Sequence, residues 1–149
     1  MNGNTISVER VIDAEPGRIF ALLADASQHS VFDGSGTVQG TRGSAKPLEP
    51  GSRFGMSMKW GVAYSTVNTV IEFEPQRRIA WQTTGFGGLI GGRIWRYELE
   101  PVEGGTLVRE TWDISEDKQR FLLKRSSIPG VTEANITRTL ERLAEAASR

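Results

Sequence analysis

A carboxylate set among apolar strand positions is the first residue in this chain that could do chemistry. Glu110 falls in register with Val108 and Trp112 in the run that ends at Ile114, and strand alternation turns all three to one face. If that face points inward, burial raises the carboxyl pKa and suits it to general acid or base work. Arg10, in register with Val8 and Ile12, is a candidate neutraliser across the sheet, and Arg96 becomes one only if the strand register slips. The structural alternative is a solvent-facing acid or an ion pair, because a one-residue slip reverses the assignment. His29 is the only imidazole and lies just before Asp33. A His–Asp pair can move protons, while the plainer reading is an exposed or loop-capping histidine. Nearby serines do not complete a triad without geometry.

A second group of residues could bind rather than react. Phe54, Met56, Met58 and Trp60 alternate with Arg53, Gly55, Ser57 and Lys59, and Trp81, Trp95, Tyr97 and Trp112 occupy later strand-like runs. On one concave face, such amphipathic rings and flexible thioethers suit an adaptable apolar pocket. The alternative for each is core packing against a helix. The stretch from Gly85 to Gly92 holds Phe86, Leu89 and Ile90 among five glycines. It fails the dinucleotide fingerprint at Ile90 and has no lysine for a phosphate loop. It reads instead as a mobile hairpin, either an ordinary one or a lid at a pocket mouth. Asn135-Ile136-Thr137 fits a glycosylation sequon but falls inside a predicted helix and is discounted.

Composition narrows the chemistry further. The 149 residues carry 18 basic and 18 acidic side chains, one histidine and no cysteine. Disulfides, thiolate metal sites and cysteine nucleophiles are excluded, and no metal or cofactor is expected. Balanced charge argues against a nucleic-acid partner. Residues Met1 to Thr5 lack the charged and apolar regions of a signal peptide, and no apolar run approaches the ~20 residues of a membrane span. Cytoplasmic residence is the default expectation. Only 38% of residues are hydrophobic, so four tryptophans and six phenylalanines must carry much of the apolar burial.

The elements that must position these residues follow from periodicity. Ile6 to Ala14 reads as a strand, and Pro16 opens a short helix through Ile19, Phe20, Leu22 and Leu23. A polar stretch and a glycine-rich turn at 33–36 lead to a short strand over 37–41 and a loop over 43–51. Long strands then follow in antiparallel sequence, over 53–60, 62–73, 78–84, 95–100 and 108–114, joined by short turns such as 103–105. A short helical piece over 117–127 precedes a longer helix, limited at its start by Pro129-Gly130, in which Ile136, Leu140, Leu143 and Ala147 recur at helical spacing. No repeat or linker interrupts residues 1–149, so one domain is expected.

This order resembles the START-like polyketide cyclase/dehydrase superfamily, also called SRPBCC. The resemblance rests on Val11 to Pro16 running into Ile19 to Asp25, on the segment from His29 to Gly36, on Gly51 to Phe54, and on Gly105 to Trp112. These are fold markers and not a catalytic signature. The resemblance implies an α+β helix-grip fold: a curved antiparallel sheet of about six to seven strands wrapped around a long C-terminal helix, with two short helices after the first strand. It also implies an apolar cavity between sheet and helix.

On that frame the leading expectation is binding of a small hydrophobic ligand, lipid-like or polyketide-like. Phe54, Met56, Met58, Trp60, Trp81, Phe86, Leu89, Trp95, Tyr97, Trp112 and Leu140 are the candidate lining. One rival is a cyclase or dehydratase using Glu110, His29 and Asp33 as acid–base groups. Another is a stress-linked regulatory or interaction protein. A homodimer is left open.

Overall fold

The computed structural model describes residues 3–34, 38–42, 47–60, 62–85 and 88–148, and for residues 30, 38–42, 56–60 and 62–65 it describes the backbone alone. Seven strands form one antiparallel sheet: β1 (Thr5–Ile12), β2 (Val38–Arg42), β3 (Arg53–Trp60), β4 (Val62–Glu74), β5 (Arg78–Gly85), β6 (Ile90–Val102) and β7 (Gly105–Asp113). Their spatial order is β1-β7-β6-β5-β4-β3-β2. Strands β2 to β7 therefore form a continuous meander, and β1 returns to close beside β7. Between β1 and β2 lie α1 (Pro16–Leu23), a 3-10 turn (Ala26–Gln28) and α2 (His29–Phe32), while α3 (Arg120–Arg125) and α4 (Ile128–Ala147) end the chain. This is the expected helix-grip arrangement.

The curvature has local causes. Register shifts interrupt the β2–β3 ladder between Val38 and Gly40, the β4–β5 ladder between Val70 and Glu72, and the β5–β6 ladder between Thr83 and Thr84. Each inserts an extra residue, which bends and twists the strand around whatever lies on the concave side. That occupant is α4. Its 20 residues span about 30 Å at helical rise. Thr132, Ile136, Thr139, Leu140, Leu143, Ala146 and Ala147 make its buried stripe, packed chiefly against β1 and α2.

Two expectations about element limits need correction. The glycine-rich stretch is strand at both its ends: β5 runs to Gly85 and β6 resumes at Ile90, so Gly91 and Gly92 lie in the ladder at its bulge. Both have positive φ, and a side chain on Gly92 would meet the Glu116 carbonyl at 2.5 Å. The helix expected over 117–127 shortens to Arg120–Arg125. Asp117 is fully buried, ion-paired to Arg93 at 3.1 Å, and accepts the Gln119 N–H at 2.8 Å, which holds the chain in a turn there.

Candidate functional site

The polar group on the concave face begins with how the chain enters α2. The Asp25 carboxylate accepts the N–H (3.0 Å) and hydroxyl (2.6 Å) of Ser27, which caps the 3-10 turn. His29 then opens α2, directed into the core, where it is 2% exposed. Its Nε2 lies 2.8 Å from the Leu23 carbonyl oxygen. A carbonyl only accepts, so Nε2 carries the proton and donates. Burial lowers the imidazole pKa to about 4, so the ring is neutral at ordinary pH. Nδ1 is then a bare acceptor, and it has no hydrogen-bond partner among the described residues. The exposed reading of His29 is overturned, while the bond to Leu23 at the end of α1 is a capping one made from inside the core: the ring stacks on Trp81 and meets the edges of Phe32 and Phe54, each with centroids 5.4 Å away.

The sheet supplies the other half. Tyr97 on β6 pairs directly with Glu110 on β7, and both point to the concave face. Glu110 is 3% exposed, so the solvent-facing alternative does not hold. Burial pushes its carboxyl up to about 8, and the Tyr97 hydroxyl donating toward it only partly opposes the shift. At neutral pH Glu110 is therefore chiefly a carboxylic acid, able to donate as well as accept. Burial, and then the Glu110 charge, push the Tyr97 phenol well above its ordinary value. Glu110 Oε1 and the neighbouring Trp112 Nε1 have no hydrogen-bond partner among the described residues. Asp33, half-buried at the end of α2, adds negative charge that acts on His29, Tyr97 and Glu110 alike.

Glu110, His29 and Asp33, drawn from two distant segments, thus converge on one face. Neither expected neutraliser joins them. Arg10 faces Val108 across the β1–β7 ladder and is exposed, while the partner of Glu110 on β1 is Val8. Arg96 lies on the outer face, where it holds Glu72 through bonds of 2.8 and 2.7 Å and approaches Asp113 at 3.6 Å. The register did not slip, so its guanidinium points away from the concavity.

The expected lining residues divide by position. Phe54, Trp81, Tyr97, Trp112 and Leu140 are buried in the core, and Trp95 is half-buried with its ring 6.4 Å from Trp112. Leu89 is 75% exposed at the β5–β6 turn. Phe86 and the side chains of Met56, Met58 and Trp60 lie outside the described residues. Among the described residues, grooves open on the outer surface, one of about 600 Å³ bordered by Pro16, Gln76, Arg78 and Glu98 and another of about 380 Å³ beside Arg18 and Leu22. Neither touches an expected lining residue.

Sequence reasoning missed Asn68 and Thr83. Asn68 is 2% exposed and accepts the Thr83 hydroxyl at 2.6 Å on the concave side. Alternation with Val70 is the signal that would have placed Asn68 inward. Among the described residues, no three carboxylate, imidazole or thiolate groups gather as a metal site. No helix of the described residues is long and apolar enough to cross a membrane.

Comparison with known proteins agrees with this architecture. Uncharacterized protein Rv0088 of Mycobacterium tuberculosis is 34% identical over 118 residues, covering 69% of this chain and 50% of that protein. The chain thus spans about half the length of the curated relatives it matches. Among solved structures, protein CV1439 from Chromobacterium violaceum superposes with a TM-score of 0.73 at 16% identity, over 98% of each chain. The Aha1 dimer from Colwellia psychrerythraea superposes with a TM-score of 0.66 at 18% identity, over 97% of this chain and 96% of that one. The family model for polyketide cyclase/dehydrase and lipid transport matches residues 4–148, and the chain belongs to that family.

Proposed function

We propose that the chain binds a small ligand with an apolar body and one hydroxyl or carbonyl group, held between the sheet and α4. The observation that carries this reading is the set of buried, unpartnered polar atoms on an otherwise aromatic face: His29 Nδ1, Glu110 Oε1 and Trp112 Nε1. An unpaired buried polar atom costs about 1–3 kcal/mol, and a ligand group reaching these atoms relieves part of that. One acceptor, one donor and one neutral acid can serve either a hydroxyl or a carbonyl. The apolar body lies toward the half-buried Trp95. Family membership supports the hydrophobic character of the ligand. Native mass spectrometry of gently purified protein tests the reading, together with displacement of the probe 1-anilinonaphthalene-8-sulfonate by a panel of lipids and polyketide-like aromatics. A retained small molecule or panel displacement, weakened by Trp95→Ala, is the expected result. An empty spectrum with no displacement by any compound sinks it.

A second reading, acid–base turnover, is favoured by one arrangement: Glu110 is buried beside Tyr97, and burial, with a further contribution from the Asp33 charge, pushes its carboxyl up to about 8. A Glu110→Gln variant that keeps ligand affinity but loses turnover identifies an enzyme. Equal binding by both proteins with no turnover over the panel removes that reading.

A further inference from the structure

The three most exposed large apolar side chains among the described residues, Leu89, Leu122 and Phe121 at 75, 73 and 67% exposure, lie on two segments that are tied together. The Lys118 N–H donates to the Gly91 carbonyl at 2.9 Å, and the Gly91 N–H donates to Gln119 Oε1 at 2.9 Å. The Lys118 ammonium also reaches the Gly88 carbonyl. These bonds set residues 88–91, which lead into β6, beside the start of α3. Buried Leu123 anchors α3, so its neighbours Phe121 and Leu122 project from the surface.

The charge along the α3 segment is of one sign. Residues 118–125 hold Lys118, Arg120, Lys124 and Arg125 and no acid. The Arg120 guanidinium sits 4.8 Å from the Phe121 ring centre, and Lys124 donates to Asn4 at 3.2 Å, which leaves its charge uncancelled. Of the two acids just before this run, Asp117 is buried against Arg93, and only Glu116 is exposed.

We propose that α3 and the adjacent Leu89 form a peripheral docking surface for an anionic lipid bilayer. Phe121, Leu122 and Leu89 enter the interfacial layer, and Lys118, Arg120, Lys124 and Arg125 meet its headgroups. Protruding apolar side chains need no complementary pocket in a bilayer, whereas a protein partner must supply one. A second copy would bring cations against cations. This surface stands apart from the concave polar cluster, so vesicle binding and ligand binding can fail separately.

Sedimentation with phosphatidylcholine vesicles and with phosphatidylcholine–phosphatidylserine vesicles tests the assignment. Wild-type protein is expected to pellet with the anionic vesicles, less so as salt rises, and to remain in solution with the neutral ones. Lys124→Glu with Arg125→Glu should weaken anionic-vesicle binding by at least about fivefold per lost cation, and Phe121→Ser with Leu122→Ser by about tenfold or more. Both variants should keep the wild-type melting curve, since these side chains are exposed. Equal binding to both vesicle types, binding to neither, or variants that bind like wild type would overturn the proposal. So would a dimer in light scattering that dissociates in the Phe121→Ser, Leu122→Ser variant without any vesicle binding, which would assign the surface to a second copy.

Discussion

The His29 imidazole lies nearly parallel to the Trp81 indole, with ring centroids 4.7 Å apart and planes 19° from coplanar. Through this stack a four-residue helix, too short to hold itself together, is anchored to the middle of the sheet. Ring packing and the Nε2–Leu23 bond contribute separately, and two substitutions divide them. His29→Phe keeps an aromatic face but leaves the Leu23 carbonyl unpaired, an expected loss of about 1–3 kcal/mol. His29→Ala removes the face as well and should lose about 3–5 kcal/mol, as large-to-small core changes do. Denaturant unfolding of both variants checks this, and equal losses would show that the stack contributes nothing.

Two buried groups with opposite shifts make stability depend on pH in a particular shape. His29 binds its proton near pH 4 when folded and near 6.5 when unfolded, so between those values the unfolded chain holds the extra proton and stability rises with pH. Glu110 holds its proton up to about pH 8 when folded and to about 4.5 when unfolded, so across that window stability falls with pH. The slopes cancel between about 4.5 and 6.5, and above 6.5 only the Glu110 slope remains. The pair therefore predicts a plateau followed by a loss of about 2 kcal/mol by pH 8. Glu110→Gln removes the falling slope, leaving a rise of about 3 kcal/mol from pH 4 to 6.5 and a flat line above. Unfolding free energies of the two proteins, measured across this range and subtracted, isolate the effect from that of other titrating groups. A difference that does not vary with pH would mean Glu110 is ionised in the fold.

Gly34 is where α2 meets α4, and the contact admits no side chain. A Cβ there would fall 2.6 Å from the Thr139 nitrogen and 2.7 Å from the Arg138 Cβ, and closer still to the Asn135 carbonyl oxygen. The Gly34 N–H donates to Thr139 Oγ1 at 2.8 Å, and the Gly34 carbonyl accepts from Arg138 Nε at 3.0 Å. Gly34→Ala must push the loop off the helix, at an expected 1–3 kcal/mol or about that. Because Asp33 and His29 ride on the same segment, the Trp fluorescence of Trp81 should shift with it. Thr139→Val, which leaves the Gly34 N–H unpaired without crowding, should lose about 1–3 kcal/mol with no such shift. Wild-type stability in Gly34→Ala would show that this junction yields freely.

How much of this was legible in the sequence depends on the range of the interaction. Period-two alternation at Val108, Glu110 and Trp112 is a local property of the backbone, and it put the three on one face but left open whether that face is the buried one, which it is. Fold markers likewise pointed to the helix-grip order with about six to seven strands, and the sheet has seven. The location of His29 was not local: nothing in the stretch from Ser27 to Ser30 says that a ring there will stack on Trp81, more than fifty positions on. Arg10 failed for a different reason. It lies on the inward-facing register of β1, but β1 is an edge strand, and a long cationic side chain there reaches water more readily than it crosses to a buried acid. The glycine-rich stretch does join β5 to β6 as a hairpin, but composition could not show that Gly91 and Gly92 already belong to a bulged strand in which glycine meets its partner backbone at close range.

Strand β1 pairs with β7 along its whole length, and Ser7 shares a 2.8 Å hydrogen bond with Thr111, 104 positions away. The hairpins of β2 to β7 can zip up one after another from neighbouring sequence, but this last seam has to wait until nearly the entire chain exists. Loop closure on that scale slows folding without much altering final stability. Until it closes, β7 presents a free row of amide and carbonyl groups with Trp112 and Val108 behind it, an adhesive border of the kind that pairs with other chains. The first strand is thus the latch of the sheet, and the interval before it engages is when this chain is most exposed to aggregation.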